Sequence, residues 1–145
     1  MARKVILDVD PGVDDAVALA WARDNLPADA LVLINSRRWQ GELRAGSDAG
    51  WWLPLLADKQ VTLPNVLYGQ GGAEMVNAVN SLAALVEGAE RFDDPALLAR
   101  LRAEGVTHVF IGARGGPLMP AKLDGLPQYR LLYTHGPASV YAFTP

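Results

Sequence analysis

The chain contains no cysteine. Disulfides and thiolate metal sites are therefore excluded, and the redox compartment stays open. Two histidines are present, His108 and His135, too few for a zinc centre built on imidazole. Basic charge is not in excess: 13 Lys and Arg stand against 16 Asp and Glu, for a net charge of −3. Nucleic-acid binding, which draws on a basic face, is not expected. No apolar run approaches the ~18 residues of a membrane-spanning helix. Met1-Ala-Arg-Lys4 leads directly into a strand-like run, without the long apolar stretch and small-residue cleavage site of a signal peptide. These absences describe a soluble chain, cytoplasmic as expressed, with no membrane span of its own.

What is present is 145 residues, half of them apolar and a fifth charged. That suits one domain with a proper core, spanning residues 1–145. Val5-Ile-Leu7 with Val9 reads as a buried strand. Apolar residues at 13, 16, 17, 20 and 21 have helical spacing through Arg23, and Asn25-Leu-Pro27 ends that helix. Ala30–Ile34 is a second strand, followed by a polar, arginine-bearing loop from Asn35 to Gly46. Ser47 or Asp48 can cap a helix through Trp51, Trp52, Leu55 and Leu56. Val61–Leu63 and Val66–Tyr68 read as short extended pieces, and Gly69–Gly72 as a turn. A long amphipathic helix runs from Ala73 to Ala89. A further helix starts at Asp93-Asp94-Pro95 and ends at Gly105. Val106–Ile111 is a third strand, and Tyr129–Tyr133 with Ser139–Phe143 form a closing hairpin around His135-Gly136-Pro137. Strands alternating with helices predict a single three-layer α/β/α domain, Rossmann-like, with a mainly parallel sheet and an antiparallel C-terminal hairpin.

The segment richest in chemistry is Asp8-Val-Asp10-Pro11-Gly12-Val-Asp14-Asp15. Asp8 and Asp10 share one side of the first strand. Pro11-Gly12 turns the chain, and Asp14 and Asp15 fall in the first turn of the helix. Four carboxylates so placed repel one another, and a hard cation with oxygen ligands relieves that repulsion. Calcium or magnesium suits the set, and a metal-bound water beside Asp10 would be a nucleophile. The alternative is structural: Asp-Pro-Gly is a common turn, and acidic residues are favoured at a helix N-terminus.

Two resemblances divide the chain. Lys4-Val-Ile-Leu-Asp-Val-Asp-Pro-Gly-Val-Asp-Asp-Ala-Val-Ala-Leu19 resembles the N-terminal signature of the nucleoside hydrolases, which cleave the N-glycosidic bond of ribonucleosides with a bound calcium ion. That resemblance implies Asp10 as the water-activating catalytic base and a calcium ligand. It implies Asp15 as a calcium ligand, Asp14 as the residue holding the ribose hydroxyls, and Asp8 as a supporting metal-site carboxylate. The family also uses a distal aspartate and histidine; Asp124 and His135 do not lie in matching neighbourhoods. From about residue 20 onward the chain resembles a soluble C-terminal domain of bacterial multi-pass membrane proteins, themselves similar to lipid-linked-sugar glycosyltransferases. Trp21-Ala-Arg-Asp-Asn-Leu-Pro-Ala-Asp-Ala30, Gly46-Ser-Asp-Ala-Gly-Trp-Trp-Leu-Pro-Leu-Leu56, Thr62-Leu-Pro64, Gln128-Tyr-Arg-Leu-Leu-Tyr133 and Val140-Tyr-Ala-Phe143 carry it. That segment would then derive from an extracytoplasmic domain.

Residues 1–19 and 20–145 thus meet inside one predicted helix, which reads as a hybrid, best explained by an engineered fusion. Three functions follow. The first is a scaffold with a calcium-binding turn and no complete catalytic site. The second is a minimal nucleoside hydrolase. The third is a non-catalytic domain that binds a sugar or a partner protein. A small sugar or nucleoside is the expected ligand class. Three further features have two readings each. Gly112-Ala-Arg114-Gly115-Gly116 follows a buried strand, and is either an anion-binding loop, through Arg114 and the amides of Gly115 and Gly116, or a structural turn. Trp51 and Trp52 stack a sugar or cover the core. Arg37, Arg38 and Arg44 form a solvated loop face or meet an anionic substrate.

Overall fold

The computed structural model describes residues 12–144. The first expected strand, with Asp8 and Asp10, lies outside the described residues. Helix α1 (Val13–Asn25) comes first, then strand β1 (Leu31–Ile34) and a hairpin of β2 (Ser36–Arg38) and β3 (Arg44–Gly46). A 3-10 turn, Ala49–Trp52, runs into α2 (Leu53–Leu56), followed by β4 (Gln60–Val61) and a second 3-10 turn, Val66–Gln70. The remainder is α3 (Ala73–Glu87), α4 (Pro95–Glu104), β5 (His108–Ile111), α5 (Pro120–Leu123), β6 (Tyr129–His135) and β7 (Ala138–Phe143).

Five strands form one sheet in the order β4-β1-β5-β7-β6, and β2 and β3 form a separate pair. β1 lies parallel to both β4 and β5. β7 runs antiparallel to β5 and to β6. Four strands therefore point one way and β7 alone opposes them, which gives the expected parallel body closed by a C-terminal hairpin.

Side chains alternate across each strand and feed two cores. Val32 and Ile34 of β1, Phe110 of β5 and Val140 of β7 pack with Ala18, Leu19 and Ala22 of α1 and with Leu53 of α2. Leu33, Val109, Ile111 and Tyr141 face the other way, onto Leu82 and Val86 of α3, Leu97 and Leu101 of α4 and Leu123 of α5. Each core thus joins strand residues to helix residues. α4 shows how locally these elements are encoded. Asp94 accepts from the N–H groups of Ala96 and Leu97, Pro95 opens the first turn, and Gly105 closes the helix at φ +80°.

Several expectations need correction. The loop Asn35–Gly46 contains the β2–β3 hairpin, turning near Gly41; its pairs, Ser36 with Gly46, Arg37 with Ala45 and Arg38 with Arg44, carry no large apolar residue to announce a strand. Arg44 is not a solvated loop residue. Its guanidinium is buried and bonded to Glu87 Oε1 at 3.2 Å, and Ser36 Oγ donates to the same oxygen at 2.9 Å, so the hairpin is clamped to α3. Val66–Tyr68 is not extended. Asn65 Oδ1 accepts from Leu67 N at 3.1 Å and starts a 3-10 turn. Of Val61–Leu63 only Val61 joins a strand, and α5 was not foreseen.

Candidate functional site

The chain leaves β1 for β4 on one side, and β5 then returns on the other side of β1. At such a reversal the loops leaving the two strands diverge, and a crevice opens at their C-terminal ends. Asn35 follows β1 directly and Gly112 follows β5. Asp48, at the start of the first 3-10 turn, and Asp15, in the first turn of α1, complete the crevice. All three side chains, Asn35, Asp48 and Asp15, are buried.

The Asn35 amide, both oxygens of Asp48 and one oxygen of Asp15 are hydrogen-bonded within this cluster and to the loops. Asp48 Oδ1 accepts from Gly50 N at 2.9 Å, and its Oδ2 accepts from Gly112 N at 2.8 Å and from Asn35 Nδ2 at 3.0 Å. Asn35 Nδ2 also donates to Leu118 O at 3.1 Å, and its Oδ1 accepts from Leu118 N at 2.9 Å. Asp15 Oδ1 accepts from Ala113 N at 2.8 Å. Gly112 has no room for a side chain: a Cβ would sit 2.9 Å from Asp48 Cβ and 3.0 Å from Asp15 Oδ1. The two carboxylates therefore fill the anion position that the loop after β5 would otherwise present.

Burial pushes the Asp48 carboxyl up to about 6, against the N–H of Gly112, the Asn35 amide and the N–H of Gly50, with the nearby Asp15 adding to the rise. Burial likewise raises Asp15. The Ala113 N–H opposes that, Asp14 reinforces it and Arg114 opposes it. These are the shifts expected of carboxylates kept from water and stabilised by backbone dipoles.

The sequence-derived residues fall as follows. Asp15 is in the crevice and bound to the loop. Asp14 points elsewhere, 3.2 Å from His135 Nε2 at the hairpin turn. A Cβ on Gly136, whose φ is +54°, would lie 2.6 Å from its carboxylate. Asp8 and Asp10 lie outside the described residues. Among the described residues no group of three or more His, Asp or Glu is placed to hold a metal ion. The anion-loop reading of Arg114, Gly115 and Gly116 meets a crowded loop. The amides of Gly112 and Ala113 serve carboxylates, Gly115 N donates to Gly112 O at 2.9 Å, and a Cβ on Gly116 would collide with the Asn35 amide. Asp124 accepts from Tyr141 OH at 2.8 Å, and His108 lies in β5, its pKa lowered chiefly by burial. Sequence reasoning missed Asn35 altogether and left Asp48, within Gly46–Gly50, as either a helix cap or part of a sugar- or phosphate-facing loop. The available signal was a lone amide directly after an apolar strand.

Among the described residues no helix is long and apolar enough to cross a membrane. No family model and no curated protein sequence matches the chain. Among solved structures, its fold is similar to the C-terminal globular domain of an oligosaccharyltransferase from Archaeoglobus fulgidus. The TM-score is 0.59 over 94% of this chain and 100% of that one, at 15% identity. Identity at this level speaks for the fold alone. Nothing in the likeness links the chain to nucleoside hydrolases.

Proposed function

We propose that the chain is a non-catalytic, three-layer Rossmann-like domain that serves a glycosyltransferase-like membrane protein by binding a sugar or a partner chain. The observation that carries this reading is the commitment of the crevice. Both oxygens of Asp48 and Oδ1 of Asp15, the buried carboxylates that face the loops after β1 and β5, accept from backbone N–H groups that hold those loops together. A general base needs a lone pair aimed at a water or substrate. The fold likeness to an oligosaccharyltransferase's C-terminal globular domain and the resemblance of residues 20–145 support the context. The test is hydrolysis of a nitrophenyl riboside at high protein concentration with calcium. No turnover above buffer is expected. Calcium-dependent turnover that disappears in Asp10→Asn would overturn the reading in favour of a minimal nucleoside hydrolase.

A second reading concerns the acidic turn alone. Asp15 is disfavoured as a carboxylate by burial and by Asp14, and a cation beside it would relieve both. In that reading Asp8, Asp10 and Asp15 bind calcium without catalysis. Calcium would then raise the melting temperature with a saturable dependence, lost in Asp15→Asn. A flat response across calcium concentrations removes the reading. The hybrid origin of residues 1–19 is a separate, gene-level proposal, which one unbroken natural homologue across residues 1–60 would end.

A further inference from the structure

On the α2 side of the first 3-10 turn, Trp51, Trp52, Pro54, Leu55 and Asn65 line a cavity of about 290 Å³. Its walls are preorganised. The Trp51 ring lies against Gly46, where any Cβ would collide with it. Its Nε1 donates to Pro64 O at 3.4 Å, so the indole has only apolar surface left to offer. Leu55 stands 65% exposed at the lip, a large apolar side chain unsupported by any core. Asn65 contributes the polar element. Its Oδ1 is held by Leu67 N, so its amide nitrogen remains as a donor of fixed orientation. None of the five lining residues is ionisable.

We propose that this cavity is a subsite for a neutral pyranose. A pyranose ring has one face of C–H bonds and a rim of hydroxyls. Indole and Leu55 surface covers the first, and the Asn65 amide meets the second. A charged ligand such as a sugar phosphate finds no counter-charge here. The volume lies at the lower end of small-molecule pockets and suits one ring better than a helix or an acyl chain. The inference rests on the accessory-domain reading for its biological sense but not for its chemistry: a protein that fails the hydrolysis test can pass this one, and the reverse.

The experiment uses the four indole N–H resonances of Trp21, Trp39, Trp51 and Trp52 in a nitrogen–proton correlation spectrum of the intact chain. The probes are the methyl glycosides of glucose, mannose, galactose and N-acetylglucosamine, with glucose 1-phosphate and an apolar tripeptide beside them. The expected result is a saturable shift of Trp51 and Trp52 with at least one glycoside, Trp21 and Trp39 unmoved, and weaker binding of the phosphate. Trp52→Ala should weaken the affinity about tenfold. Asn65→Asp keeps the acceptor for Leu67 N and removes the donor; it should weaken binding in a chain whose spectrum is otherwise unchanged. Glycosides that produce no saturable shift up to their solubility limit overturn the proposal. So does undiminished binding in both variants, or a response confined to an apolar tripeptide, which would make the cavity a partner's docking point.

Discussion

Asp48 is a carboxylate removed from water by its neighbours and kept usable as an anchor by three N–H donors. Because burial raises its folded pKa to about 6 from an ordinary 3.8, the folded chain holds that proton more tightly than the unfolded chain. Its contribution is therefore fully present below about pH 4 and lost as pH rises through 6, a difference of about 3 kcal/mol. Denaturant unfolding at intervals from pH 4 to 7 checks this. Stability of Asp48→Asn minus that of the native chain should become more favourable as pH rises, and a pH-independent difference would refute the assignment. The same site explains a structural demand. Asp48→Ala would orphan the buried N–H groups of Gly112 and Gly50 and leave Asn35 Nδ2 with Leu118 O alone. Gly136 sets a second demand at this scale. Its φ of +54° and the Asp14 carboxylate where a Cβ would sit predict that Gly136→Ala costs roughly 1–2 kcal/mol, measurable as a lower denaturation midpoint with an unchanged slope.

At the scale of elements, helices are held by unequal means. α1 has no side-chain cap and relies on Ala18, Leu19 and Ala22, buried in the core it shares with α2 and β7. Its Trp21 ring also stacks on Tyr133 of β6, with centroids 4.9 Å apart. α4 has a cap, a first-turn proline and a left-handed glycine. Leu19→Ala should cost about 2–5 kcal/mol, whereas Asp94→Ala should cost about 1 kcal/mol. Thermal unfolding of the two variants should rank them in that order; equal losses would mean that α1 is not seated on the sheet as described. α1, β1, α3, α4, β5 and the closing hairpin were legible in the sequence because periodicity and caps are local signals. The β2–β3 pair was not, because Arg44 looks solvated until Glu87 and Ser36, far apart in sequence, close around it. Val66–Tyr68 looked extended because β-branched and aromatic residues favour strands, yet Asn65 capping and the buried Tyr68 hydroxyl, bonded to Asn80 Oδ1 at 2.7 Å, won locally.

Across the whole molecule the sheet separates two cores that share no buried side chain. Val140→Ala on one face and Val86→Ala on the other should each cost about 2 kcal/mol. The double variant should equal their sum within about 0.5 kcal/mol. A larger coupling would show that the sheet transmits packing changes from face to face. By itself the sequence determined the α/β class, the order of most elements and the presence of an acidic segment running into α1, since each is written in residues close along the chain. Only the tertiary structure decided what the last two aspartates of that segment meet. Asp15 finds Ala113, some hundred residues on, while Asp14 turns to His135. Asn35 and Asp48, plain in sequence, become the centre of the crevice because strand order brings the ends of β1 and β5 together. Strand order and the partners of a buried polar group are non-local: they depend on which loops share a sheet edge, and no window of neighbouring residues contains that information.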